Sequence, residues 1–158
     1  MPYELLHERL PELAEAETRV ITVLESSGDF GKLPPAEYAF LEMFCNEPGC
    51  DCRRVFFNVV SSRTEKVEAV IAYGWESANF YRNWFKQGTK EDIAIMQGPV
   101  LNDSSPQGRH AEAILRLFIN TLLPQADYIE RVKRHYKLFR ATVDRPKNPL
   151  LRRRRTGG

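Results

Sequence analysis

All three cysteines of the 158-residue chain lie in one short stretch, FCNEPGCDCRR, at residues 44–54. Cys45, Cys50 and Cys52 follow a Cys-x4-Cys-x-Cys spacing, with a Pro-Gly pair between the first two. Thiolate sulfur is a preferred ligand of Zn²⁺, and glycine permits the left-handed backbone conformation with which a loop can wrap a small ion. The spacing therefore predicts a structural zinc knuckle.

A structural zinc site usually has four ligands, so a fourth ligand is expected outside the three cysteines. His135 is the first candidate, because Tyr128, Val132 and Phe139 share its helical stripe and that stripe should face a sheet. A histidine that is hydrogen-bonded within the core is the competing interpretation of His135. The other candidates are His110, His7, the carboxylates of Glu47 and Asp51, and a water molecule.

Two interpretations without a metal also remain open for the cysteines. Cysteine is a common small core residue, so the three thiols could be unrelated to one another. A disulfide is the other interpretation, although a Cys50–Cys52 bond would close a very small and strained ring. The adjacent Arg53 and Arg54 would offset the negative charge of three thiolates on Zn²⁺. Three clustered thiols in a reducing compartment fit a shared metal ion best.

A zinc-dependent or thiol-dependent enzyme is the alternative function, because a catalytic zinc keeps three protein ligands and one open position. The segment His110-Ala111-Glu112 matches the HxE half of the zinc deaminase signature, but the PCxxC half is absent from the sequence. No HExxH or GxSxG motif offers another catalytic centre. The sequence therefore favours a binding or adaptor module of unassigned activity over an enzyme.

Composition predicts a folded domain in a reducing compartment. Apolar residues make up 42% of the chain and aromatic residues 11%, which is enough for a packed core. The acidic N-terminus lacks the apolar stretch of a secretory signal, and no run of eighteen apolar residues exists. A cytoplasmic location without membrane contact is therefore expected. Residues 1–145 are predicted to form one globular domain, and residues 146–158 a flexible basic tail.

Basic residues concentrate toward the C-terminus, although the net charge of the chain is only +2. Residues 128–158 contain eleven lysines and arginines against two acidic residues, with aromatic residues among them. This composition is typical of segments that bind RNA or single strands. A solvated helix face with a solubilising tail is the competing interpretation, because the aromatic residues lie on the stripe expected to be buried. The expected partners are an unidentified protein and, through weak contacts of the tail, nucleic acid.

Strands dominate the first half of the chain and helices the second half. Residue patterns predict strands over 19–25, 37–45, 53–61 and 66–74, so the cysteines lie between two antiparallel strands. Helical spacing predicts two short turns over 3–17, divided by Pro11, and helices over 75–88, 109–124 and 126–143. The predicted fold is an α+β domain with an antiparallel sheet of about four strands, helices packed on one face and a helical C-terminal half. A doubly wound sheet is the alternative, but the sequence has no GxGxxG fingerprint.

The segment EYAFLEMFCNEPGCDCRRVFFNVV, with YIERVKRHYKLF downstream, resembles a group of little-characterised bacterial proteins classed with SEC-C-type zinc-chelating proteins. The resemblance extends over roughly residues 37–140 and includes the three cysteines, Arg53-Arg54 and Arg134-His135-Tyr136. It implies a zinc-binding protein of unassigned activity. The compact SEC-C signature, CxCGSGxxxxxCC or its CH form, is absent, so the binding roles of that motif are not carried over.

Overall fold

Six antiparallel strands form one sheet in residues 2–24 and 33–145, the part of the chain that the computed structural model describes. The strands are β1 (Tyr3–Leu5), β2 (Arg19–Val23), β3 (Ala36–Cys45), β4 (Arg54–Ser61), β5 (Val67–Gly74) and β6 (Val100–Leu101). Their order is β1-β3-β4-β5-β6. The strands β1 and β2 share one edge of β3, where β1 pairs with its C-terminal part and β2 with its N-terminal part. The predicted tail at residues 146–158 lies outside the described residues.

Three of the helices begin at a residue that caps the helix or favours its first turn. The helices are α1 (Leu6–Arg9), α2 (Pro11–Glu17), α3 (Ala78–Trp84), α4 (Lys90–Gln97), α5 (Ala111–Leu117) and α6 (Ala126–Val143), with a π-helical segment (Phe118–Leu122) after α5. Pro11 is the first residue of α2, and the Ser77 side chain caps α3. Thr89 and Asp92 form a reciprocal capping box at the start of α4. None of the helices in the described residues has the length and apolar character needed to cross a membrane.

The α+β class predicted from the sequence is confirmed, but the predicted number of strands is not. The four predicted strands correspond to β2, β3, β4 and β5, and β1 and β6 are additional. These two strands contain three and two residues, which is too short for an alternation of apolar and polar residues to be recognised. Residues 3–5, which were expected to be helical, instead pair with residues 43–45.

The main core lies between one face of the sheet and the helices α1, α5 and α6. Alternate residues of the central strands, such as Phe44 in β3 and Phe57 in β4, point into it. The ring of Phe57 lies 5.1 Å from that of Phe118 after α5, and the ring of Phe44 lies 5.5 Å from that of Phe139 in α6. The contact between Phe44 and Phe139 holds α6 against β3, the strand that ends at the first cysteine.

The helices α3 and α4 form a separate cluster around Tyr81, Ile93 and Met96. Arg54 lies on the face of the sheet opposite the main core, where its guanidinium stacks over the ring of Phe56. Its Nε donates a hydrogen bond of 3.0 Å to the Met96 carbonyl oxygen at the end of α4. The prediction that the helices pack on one face is therefore not confirmed for α3 and α4.

Substitution of a central core residue tests this arrangement. The Phe57 ring is fully buried and contacts the rings of Phe40, Phe118 and Tyr128. We expect Phe57→Ala to lower the free energy of unfolding by about 3–5 kcal/mol in denaturant titrations. Phe85→Ala is the chemically matched control, since the Phe85 side chain is 41% exposed, and it should cost less than half as much. Equal losses for the two variants would contradict the assigned core.

Candidate metal centre

The connection between β3 and β4 brings the three cysteines together. Cys45 is the last residue of β3, and Cys50 and Cys52 lie in the loop over residues 46–53. The three Sγ atoms all lie within 4.8 Å of one another. Cys45 and Cys52 are buried, Cys50 is partly exposed, and all three are free thiols. The predicted cluster is therefore present in the structure.

The donor set of this cluster fits a metal ion. Two sulfurs bound at about 2.3 Å to the same tetrahedral Zn²⁺ lie about 3.8 Å apart. In the structure each pair of the three sulfurs is separated by no more than 4.8 Å, which is close to this value. All three donors are soft sulfur ligands, which structural zinc sites prefer over carboxylates. Three ligands leave one position of a tetrahedral centre for a further group.

Burial and backbone amides act in opposite directions on the three thiols. Burial is the largest effect and raises the pKa of each thiol above its ordinary value. The sulfurs of Cys45, Cys50 and Cys52 accept hydrogen bonds from the backbone N–H groups of Glu47, Cys52 and Arg54, respectively, and these bonds lower the pKa. Each amide thus lies two residues after the cysteine that it contacts. Such amides stabilise negative charge on sulfur, which is the form that binds a metal.

Two arginines add positive charge beside the sulfurs. Arg54 lowers the pKa of Cys52, and Arg140 lowers that of Cys45. The Nη1 of Arg140 also donates a hydrogen bond of 2.7 Å to the Cys45 carbonyl oxygen, and its Nη2 donates one of 2.8 Å to the Glu47 carbonyl oxygen. Arg140 therefore fixes the backbone of the cysteine loop and balances its charge.

Arg53 does not have the role that the sequence suggested for it. Its backbone has a φ of 50°, and its side chain pairs with Asp51 at 2.9 Å and with Glu76 at 3.3 Å. The sequence suggested that Arg53 and Arg54 offset the charge of the thiolates, whereas the arginines that lower thiol pKa values are Arg54 and Arg140. The role of Arg140 could not be predicted from local sequence, because α6 reaches the loop only through tertiary packing, 95 positions after Cys45.

The C-terminal half of α6 holds the cysteine loop at two more points. The Gly49 N–H donates a hydrogen bond of 3.0 Å to the Asp144 carboxylate, and Gly49 has a φ of 76°. The Tyr136 hydroxyl accepts the Arg53 N–H at 3.2 Å and donates to the Asp51 carboxylate at 3.3 Å. These hydrogen bonds help to hold the loop in the conformation that brings the sulfurs together.

His135, predicted as the fourth ligand, lies in a different environment. It is fully buried on α6, with Nδ1 2.8 Å from the Glu42 carboxylate and Nε2 3.4 Å from the Glu17 carboxylate. This placement matches the competing interpretation of a histidine held in the core by polar contacts. His110 precedes α5 and His7 lies in α1, and neither belongs to the cysteine cluster in the described residues. The placement therefore does not support His135 as a ligand of the three-sulfur centre.

Glu42 is a buried carboxyl group that was not among the predicted site residues. It is 2% exposed, and burial raises its pKa despite the hydrogen bond with His135. The signal was available in the sequence, because Glu42 occupies the same alternate positions of β3 as Phe40 and Phe44, which face the core. Glu17 is more exposed, and its hydrogen bond with Arg134 lowers its pKa. The Glu42–His135 pair links β3 to α6.

Comparisons of the chain with protein-family models, with curated proteins and with solved structures found no match. The candidate site is therefore interpreted from its own chemistry. Within residues 2–24 and 33–145, Cys45, Cys50 and Cys52 form the one group of histidine, cysteine or acidic side chains that brings three potential metal ligands together. This cluster is the candidate functional site.

A Glu42→Gln variant tests the buried carboxyl group through the pH dependence of stability. Because the pKa of Glu42 is raised in the folded protein, its contribution to stability is present below the ordinary carboxyl pKa and is lost as pH rises through the raised value. Glutamine does not titrate, so the stability of Glu42→Gln relative to wild type should increase as the pH rises above about 4. Urea denaturation at several pH values measures this trend, with Glu37→Gln at an exposed position of β3 as the control. A relative stability that decreases with pH would contradict the assignment.

Proposed function

We propose that Cys45, Cys50 and Cys52 bind one Zn²⁺, which fixes the β3–β4 connection, and that the protein is a small zinc-binding module. The observation that carries this proposal is the convergence of three sulfurs within 4.8 Å at the ends of two paired strands. Zinc binding at such a site contributes directly to folding free energy, because the unfolded chain has no preformed site. The zinc chelation implied by the resemblance to SEC-C-type proteins agrees with this proposal.

A structural role for the zinc fits the surroundings of the cluster better than a catalytic role. A metal-dependent hydrolase needs an accessible metal and a free acid–base group. Two of the three cysteines are buried, and the carboxylates of Asp51 and Asp144 in and beside the loop are engaged by Arg53 and Arg140. Burial also raises the pKa of the thiols, which opposes their use as nucleophiles.

Two exposed aromatic side chains at the C-terminal end of α3 support the proposal of a binding or adaptor module. Trp84 is 47% exposed and Phe85 is 41% exposed, and they are adjacent in the chain. Exposed aromatic residues of this kind are enriched in protein–protein interfaces. By contrast, Tyr128, Tyr136 and Phe139, the aromatic residues that suggested nucleic-acid binding, are buried and have no ring available to stack on a base. We therefore propose a protein as the partner.

Metal analysis of purified protein tests the proposed site. Protein prepared under reducing conditions without added metal should contain about one zinc per chain. We expect Cys50→Ser to lower both the zinc content and the melting temperature, because binding energy is folding energy at a structural site. Asp144→Asn is the control, since it weakens the hydrogen bond from Gly49 without removing a sulfur, and it should keep the zinc. A folded, reduced wild type with almost no zinc would show the proposal to be wrong.

The affinity for zinc should also depend on pH in a defined direction. Since burial raises the pKa of all three thiols, zinc must displace up to three protons on binding. Competition with a chromophoric chelator should therefore show an affinity that falls as pH falls, approaching about a thousandfold per pH unit if three protons leave. The metal-free protein should behave oppositely and lose stability as pH rises past the ordinary thiol pKa. A pH-independent affinity would exclude thiol ligands.

A further inference from the structure

Tyr3, in the N-terminal strand β1, lies beside the candidate metal centre. In the antiparallel pairing of β1 with β3, Tyr3 lies directly opposite Cys45. Opposite residues in such a pair project from the same face, with Cβ atoms about 4.5–5.5 Å apart. The Asn46 N–H donates a hydrogen bond of 2.7 Å to the Pro2 carbonyl oxygen, which extends this pairing into the cysteine loop. The Tyr3 ring therefore leaves the sheet beside the Cys45 side chain.

Phe56 fixes where the Tyr3 ring lies. The two ring centroids are 4.1 Å apart, with an angle of 53° between the ring planes. Phe56 and Arg54 lie on the same face of β4, and Cys52 precedes that strand. Burial raises the pKa of the Tyr3 hydroxyl, and the thiols of Cys52, Cys45 and Cys50 in its surroundings raise it further. The Tyr3 side chain, on the same face of the sheet as Cys45, therefore lies in the neighbourhood of the three thiols.

Charge balance is compatible with a fourth anionic ligand at this position. Three thiolates and one phenolate on Zn²⁺ give the centre a charge of −2, which is the charge of the familiar four-cysteine sites. Arg54 and Arg140 both act electrostatically on the cysteines and together supply two positive charges. A bound cation favours the deprotonated form of any group that coordinates it, for a phenol as for a thiol. The site therefore has the charges needed to hold four anionic ligands.

We infer that the Tyr3 hydroxyl oxygen is the fourth metal ligand, which completes a centre of Cys45, Cys50, Cys52 and Tyr3. This inference rests on the proposed zinc site and goes beyond it by assigning the missing ligand. On binding, the phenol proton leaves to solvent and its oxygen takes the remaining position. The metal then ties β1 to the β3–β4 connection, and the closed coordination shell excludes external ligands.

The zinc titration of full-length metal-free protein tests this assignment. We expect zinc to produce the ultraviolet difference absorption of tyrosinate in wild type, and we expect Tyr3→Phe to lack it. The Phe side chain retains the ring that stacks on Phe56, so the metal-free variant should keep the wild-type melting temperature. Release of zinc to a chelator should be about tenfold or more faster in Tyr3→Phe, because a ligand has been lost. Tyr128→Phe is the control, since it removes a buried hydroxyl on α6 and should match wild type in both measurements.

A second measurement on wild type does not depend on whether any variant folds. The visible spectrum of the Co²⁺-loaded protein should be unchanged by azide if Tyr3 fills the fourth position. A shift of this spectrum with azide would overturn the inference, as would zinc binding without a tyrosinate signal. Absence of metal binding in wild type would instead overturn the proposed zinc site, and the inference with it. These outcomes separate failure of the fourth ligand from failure of the whole site.

Discussion

The antiparallel pairing of β3 with β4 is the constraint on which the site depends. Its register, with Met43 opposite Phe56, sets the distance that the loop over residues 46–53 must span. β3 also carries β1 and β2 along its other edge and packs against α6. The first cysteine thus lies where two strands, a loop and a helix meet. A metal at this point would join elements from both ends of the described chain.

Burial disfavours the charged forms of several groups in and near the site, and α6 supplies polar side chains that contact them or their backbone. The thiols and Glu42 are all disfavoured in their charged forms by burial. On successive turns of α6, His135 contacts Glu42 and Arg140 contacts the backbone of the cysteine loop. One helix therefore supplies polar partners to the core and to the candidate metal centre. This arrangement explains why an amphipathic helix has a buried stripe that contains both a histidine and an arginine.

The parts of the fold and site that depend on local sequence could be predicted, and those that depend on tertiary contacts could not. The clustering of three cysteines followed from their spacing, and the burial of His135 followed from the helical stripe. The contact of Arg140 with the loop and the pairing of Tyr3 with Cys45 join residues far apart in the chain. A three-residue strand such as β1 also has no detectable period. The helical spacing over residues 3–17 therefore predicted no strand there, although β1 pairs Tyr3 with Cys45.

X-ray absorption at the zinc edge of the zinc-loaded protein tests the central claim most directly, because it counts ligand atoms by element and distance. The account predicts three sulfur atoms at about 2.3 Å from the metal and one oxygen atom at about 2.0–2.2 Å. The sulfur count depends on Cys45, Cys50 and Cys52 acting as one group, as their mutual distances in the structure require. A first shell made mainly of nitrogen and oxygen, with one sulfur or none, would contradict the account.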